Sequence, residues 1–353
     1  MAGNVNETRT VEAQCYCKSL HYKLTLKASN LPLGVHMCHC SVCRWTHGTL
    51  TIFHAELPKG VAPEFIEPSG LDKLTAYQGP QGKRYFCSTC GCHMGDVSLD
   101  GKDWVISTSL FAKDETVFQI RTHVFTESAS GGGLNEWLPR IGDRELKIWN
   151  PKDGSAAPKE SKAEYGLKGE DRLRAECHCG GVSFTIPRPT EEVINDPVMS
   201  KFVSPVDKSK WIATIDACDD CRLTSGVHVI SWTFVPLDQL EPKIKPDLLI
   251  GTMKTFVSSP GVLRSFCGVC GATVFYACDD RCPTVQQNIV DVAVGILRAP
   301  EGIRAENWLT WRAGAVGWEA SGLQYDEELT KSLGQGCKDW SLKKYGHAGT
   351  QEI

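Results

Sequence analysis

Ala13-Gln14-Cys15-Tyr16-Cys17-Lys18-Ser19-Leu20-His21-Tyr22 returns 162 residues later as Ala175-Glu176-Cys177-His178-Cys179-Gly180-Gly181-Val182-Ser183-Phe184. Each CxC runs into an alternating segment, Leu20-His21-Tyr22-Lys23-Leu24-Thr25-Leu26 and Val182-Ser183-Phe184-Thr185-Ile186. Alternation of apolar and polar residues is the period of a half-buried strand. A pattern repeated at domain length predicts two copies of one β unit.

Working outward, the copies stay in step. Cys38-His39-Cys40-Ser41-Val42-Cys43-Arg44 is matched by Asp216-Ala217-Cys218-Asp219-Asp220-Cys221-Arg222. Arg84-Tyr85-Phe86-Cys87-Ser88-Thr89-Cys90-Gly91 is matched by Arg264-Ser265-Phe266-Cys267-Gly268-Val269-Cys270-Gly271. The middle and last clusters are 43 residues apart in copy one and 45 in copy two. The first and middle clusters are 20 and 36 apart, so copy two carries an inserted loop, punctuated by Pro187, Pro189 and Pro197. Val105–Leu110 and Val292–Leu297 close the copies alike, followed by Glu136-Trp137-Leu138 and Asn307-Trp308-Leu309. The polar stretch from Pro151 to Glu170 reads as an interdomain linker. We therefore expect a mainly β chain with few helices: a first domain over 10–150, a linker over 151–172 and a second, partly degenerate copy over 173–345.

Composition limits the function. The 353-residue chain is 41% hydrophobic and 23% charged, as in globular protein, with a formal net charge of −4. Both signs are interspersed, which argues against a nucleic-acid or anionic-membrane surface. No apolar stretch of about 18 residues is present, so no membrane span is expected. The opening MAGNVNETRTVEAQ is polar and carries no secretory h-region. The expected location is therefore cytoplasmic or nuclear, where thiols stay reduced. The alternative for the seventeen cysteines, a disulfide framework in an exported protein, fits their odd number and their spacing poorly.

CxC and CxxC each set two thiols on a tight turn, and two such pairs make a four-thiolate zinc site. The expected sets are Cys15, Cys17, Cys87 and Cys90, and Cys177, Cys179, Cys267 and Cys270. Gly91 and Gly271 supply the positive φ that the turn needs. The alternative is four free buried cysteines per copy. The middle cluster differs. Cys38, Cys40 and Cys43 can hold zinc from one loop and leave the fourth position open, the mark of a catalytic site. Otherwise Cys92, His39, His47 or His93 closes that site structurally. In copy two, Asp216, Cys218 and Cys221 make either a weaker metal site or a degenerate one. Cys92, Cys278, Cys282 and Cys337 read as free thiols.

At these residues the chain resembles the family of glutathione-dependent formaldehyde-activating enzymes, which includes centromere protein V. The matching passages are Cys15-x-Cys17, CHCSVCR at 38–44, RYFCSTCG at 84–91 and the Trp137 region. Copy two matches through CHCGG at 177–181, CDDCR at 218–222, SSPGVLRSFCGVCGATVFY at 258–276 and DVAVGILRAPEG at 291–302. The resemblance implies a β-tent fold with one structural and one catalytic zinc per domain. Cys15, Cys17, Cys87 and Cys90 then take the structural ion, and Cys38, Cys40 and Cys43 the catalytic one. It also implies a carbon–sulfur lyase that joins glutathione to formaldehyde as S-hydroxymethylglutathione, or reverses that step. Two departures stand out: the chain holds two domains, an arrangement that looks fungal, and Asp216 replaces the first catalytic cysteine of copy two.

Three functions compete. One is the zinc lyase on glutathione–aldehyde adducts, with a small-molecule partner and with His47 or His39 as general acid. Each of these histidines can equally be a packing residue. Another is a tailoring enzyme acting on a larger carbonyl or thioether. The last is a non-enzymatic zinc module that binds a protein.

Overall fold

A computed structural model describes residues 7–79, 82–152, 161–284 and 286–348. The alternating segments become strands. In His21–Lys27 the side chains of Tyr22, Leu24 and Leu26 are fully buried, and the strand pairs antiparallel with Thr8–Gln14. Ser183–Pro187 pairs with Asp171–Glu176 in the same way, setting Ala175 opposite Phe184 as Ala13 is set opposite Tyr22.

Each copy then builds a larger sheet, and the two share one strand order apart from an extra edge strand, Lys147–Trp149, in the first. In the first the order is Lys147–Trp149, Phe118–Val124, Leu33–Cys38, Ile52–Glu56, Trp104–Ser107, His93–Ser98, Gly82–Cys87, Leu74–Gln78. In the second it is Leu309–Trp311, Trp211–Asp216, Ile230–Pro236, Ile289–Ala293, Thr273–Cys278, Val262–Cys267, Met253–Ser259. In both, the middle cysteine cluster starts at the end of a strand, at Cys38 or Asp216, and continues into a seven-residue helix, Ser41–His47 or Asp219–Ser225. The chain is thus mainly β.

The halves meet face to face with approximate two-fold symmetry. The Tyr16 amide donates to the Leu223 carbonyl, and the equivalent His178 amide donates to the Trp45 carbonyl. Gly48, which caps the first helix at φ 75°, lies against the Thr273 backbone, and Gly226, which caps the second at φ 78°, lies against that of His93. Phe86 meets Phe266 edge-on, with ring centroids 6.3 Å apart. A single hydrophobic core runs through both halves.

Three features go beyond the sequence reading. Helix Glu327–Tyr345 buries Leu329, Leu333, Cys337 and Trp340, capped by the Asp326 side chain and by Gly346. It packs on the first half: Trp340 meets the Trp137 ring edge-on with centroids 5.4 Å apart, and Trp311 of the second half meets the same ring at 4.7 Å. The inserted loop of copy two folds into helices Glu191–Asn195 and Met199–Phe202, whose Val193, Met199 and Phe202 are buried. Within the stretch expected as a linker, residues 153–160 lie outside the described ones, and Glu164–Tyr165 forms a strand against Asp171–Glu176. Among the described residues no helix is long and apolar enough to cross a membrane.

Candidate metal centres and their cavities

All seventeen cysteines are free. Thirteen of them, with Asp216, converge at four places. The ligand atoms of Cys15, Cys17, Cys87 and Cys90 all lie within 4.8 Å of one another, and so do those of Cys177, Cys179, Cys267 and Cys270. The turns that bring them together match. Gly91 and Gly271 both stand at φ 82°, and their amides donate to the carbonyls of Cys87 and Cys267 at 3.0 and 2.9 Å. Cys15 and Cys17 sulfurs are 3.5 Å apart, as are those of Cys17 and Cys87. A tetrahedral zinc with bonds of about 2.3 Å needs sulfurs roughly 3.8 Å apart. Both sets fit a metal of this kind.

Cys38, Cys40 and Cys43 form a third group within the same 4.8 Å limit. Cys38 ends its strand, Cys40 caps the following helix, and its sulfur accepts from the Cys43 amide at 3.4 Å. Burial and neighbouring sulfurs oppose joint ionisation. The thiols of Cys38 and Cys43 hold Cys40 down at about 3, while the bond to Cys40 pushes Cys38 well up. Three thiolates here need a cation. Among the described residues no fourth His, Cys, Asp or Glu atom joins the group. The three sulfurs instead line a cavity of about 740 Å³.

Cys92 does not close the site. It is buried beside the four-cysteine set of its own domain, whose Cys87 raises its thiol after burial does. His39 bonds His123 at 2.9 Å, and His123 bonds the Leu138 carbonyl, so both face the Trp137 segment. His93 reaches across the seam to the Gly271 carbonyl at 3.1 Å. His47 stacks on His93 with centroids 3.6 Å apart, and its Nδ1 faces the Cys43 carbonyl. Burial, then the charge of His93, holds its pKa well below the ordinary value. Neither His39 nor His47 lines the cavity. His47, read from the sequence as either a general acid or a packing residue, turns its ring to the seam between the halves.

The cavity wall holds residues that the sequence reading passed over. Arg84 donates to the Cys43 sulfur at 3.5 Å and lies 3.3 Å from Asp96, whose carboxyl burial lifts to about 6. His36 and His54 stand side by side on neighbouring strands, and Trp104, Phe125 and Trp149 supply an apolar face. Arg84 could have been found: it stands three residues before Cys87, as Arg264 stands before Cys267. His54 and Asp96 had no such repeat to mark them.

In the second half, Asp216, Cys218 and Cys221 also converge within 4.8 Å, and Arg264 donates to Cys221 at 3.3 Å. Burial, then Cys221, pushes the Asp216 carboxyl well up, so a cation is needed here too for the ionised form. This cavity is about 370 Å³.

The family model of the glutathione-dependent formaldehyde-activating enzyme matches residues 10–128 and again 204–311. The chain belongs to this family. No curated protein matches it. The second match leaves out Cys177 and Cys179, which the fold nevertheless brings to Cys267 and Cys270. In this family member the four-cysteine pattern is therefore complete in both halves, and the three-cysteine pattern only in the first.

Proposed function

We propose that the chain is a carbon–sulfur lyase of the cytoplasm that acts on glutathione–aldehyde adducts of the S-hydroxymethylglutathione type. Two β-tent domains are stapled by zinc at the four-cysteine sets. The active metal is held by Cys38, Cys40 and Cys43, and a weaker ion by Asp216, Cys218 and Cys221. One observation carries the reading: three buried thiols, with no fourth protein ligand among the described residues, open onto a cavity of about 740 Å³. Bound there, zinc supplies a positive centre that keeps a substrate sulfur ionised near neutral pH. Arg84 adds positive charge at the Cys43 sulfur and offsets the anionic cluster. The aromatic wall shields the sulfur of the adduct from water, and the remaining volume receives the peptide.

The test is nuclear magnetic resonance of exchange between formaldehyde and glutathione. Wild type should speed the exchange and Cys40→Ser should not. An unchanged spontaneous rate with wild type would end this reading. A second reading, a tailoring enzyme acting on a larger carbonyl or thioether, is favoured by one feature: 740 Å³ far exceeds a one-carbon unit, and Trp104, Phe125 and Trp149 give it an apolar side. Under that reading glutathione would not compete for the site.

A further inference from the structure

Three buried polar atoms of residues around the first cavity make no hydrogen bond within the protein. They are Nε2 of His54, Oδ1 of Asp96 and Nη1 of Arg84, whose protein partner is the ion pair with Asp96. All three residues line the cavity with the cysteines. The His54 side chain is only 2% exposed. Asp96 Oδ2 is the shared point, 3.3 Å from Arg84 Nη1 and 3.9 Å from His54 Nδ1. That leaves Oδ1 as a free acceptor beside a guanidinium whose other arm holds Cys43. Buried polar atoms without partners are costly, so their convergence in one cavity points to a ligand that satisfies them.

The second half shows what is special here. Cys38 and Asp216 end equivalent strands, so the register His36–His54 corresponds to Thr214–Trp232. The pair Arg84–Asp96 likewise corresponds to Arg264–Tyr276. The arginine is kept. The imidazole is replaced by the indole of Trp232 and the carboxylate by the phenol of Tyr276, beside a cavity half the size.

We propose that Asp96, Arg84 and His54 form a subsite for the hydroxyl group of a hydroxyalkyl thioether whose sulfur sits at the cysteine cluster. A hydroxyl both donates and accepts, so it can give its hydrogen to Asp96 Oδ1 and accept from Arg84 Nη1. An alkyl group can do neither. The placement also gives Asp96 a role in releasing the aldehyde. The hydroxyl proton passes to the Asp96 carboxylate, the O–H electron pair becomes the second C–O bond, and the C–S pair leaves with sulfur as thiolate. Addition runs the same step backwards. The inference rests on the proposed function for the identity of the thioether, while the hydroxyl subsite can be tested apart from it.

Calorimetric titration of the zinc-loaded full chain compares S-(2-hydroxyethyl)glutathione with S-propylglutathione, of nearly equal size. A charge-assisted hydrogen bond predicts that the hydroxyl ligand binds roughly tenfold tighter or more to wild type. Asp96→Asn and His54→Gln, each checked for unchanged metal content, should shrink that ratio towards one. A ratio of one in wild type, or a ratio that survives both variants, overturns the subsite. If neither thioether binds, the glutathione reading falls. The same proteins titrated with 2-mercaptoethanol against 1-propanethiol then decide the subsite by the same ratio.

Discussion

A methyl group added at Gly48 tests the seam between the halves. This residue ends its helix at φ 75°, and its Cβ would lie 2.2 Å from the Thr273 carbonyl oxygen. A carbon–oxygen contact needs roughly 3.3 Å, so the seam would have to open by about 1 Å. That displacement breaks the bond from the Gly295 amide to the Gly48 carbonyl, now 3.2 Å, in a buried interface. An orphaned buried group costs about 1–3 kcal/mol, and the left-handed conformation costs alanine about 1–2 kcal/mol more. Gly48→Ala should therefore lose roughly 2–5 kcal/mol, a large part of a typical stability of about 5–15 kcal/mol. Gly101 is the control, with φ 77° and nothing within 4 Å of its Cβ. Gly101→Ala should cost only the conformational part. Urea unfolding followed by tryptophan fluorescence measures both. Equal costs for the two variants would refute the packed seam.

Other predictions follow from the same geometry. Gly226→Ala should repeat the Gly48 result, since its Cβ would lie 2.4 Å from the His93 carbonyl oxygen. Cys90→Ser or Cys270→Ser should leave the protein insoluble or unfolded, because binding energy there is folding energy. Cys40→Ser should stay folded and lose one ion by elemental analysis; a collapse as severe as that of Cys90→Ser would make the middle cluster structural. Trp137→Ala removes a fully buried ring from under the C-terminal helix and should cost about 3–5 kcal/mol, read as a lower unfolding midpoint. Because protons compete with metal for thiolates, release rises as pH falls. A dye that reports free zinc should show the three-donor clusters emptying before the four-cysteine sets, and simultaneous release would count against the distinction.

Much of this was legible because cysteines and glycines carry their reasons locally. The CxC and CxxC turns announced the four convergent sets, and Gly91 and Gly271 take the positive φ that was read for them. The alternation in residues 20–26 announced a strand and its buried face. The rest depends on contacts distant in sequence. His54 and Asp96 reach the cavity through strands whose pairing no local pattern fixes. His47 lies four residues from Cys43, and the turn of its helix carries it to the seam instead. The C-terminal helix was hidden by Gly334 and Gly336. The latter sits where the helix crosses close to the Trp137 carbonyl, leaving no room for a Cβ.

The central claim is that Cys38, Cys40 and Cys43 hold a metal whose remaining position accepts a substrate sulfur. Cadmium nuclear magnetic resonance of the cadmium-substituted full chain addresses it directly, since each donor set gives its own signal. On addition of glutathione one signal should shift, it should be absent from Cys40→Ser, and the signals of the two four-cysteine sets should stay fixed. A spectrum in which no signal moves, or in which only the four-cysteine signals move, would contradict the account.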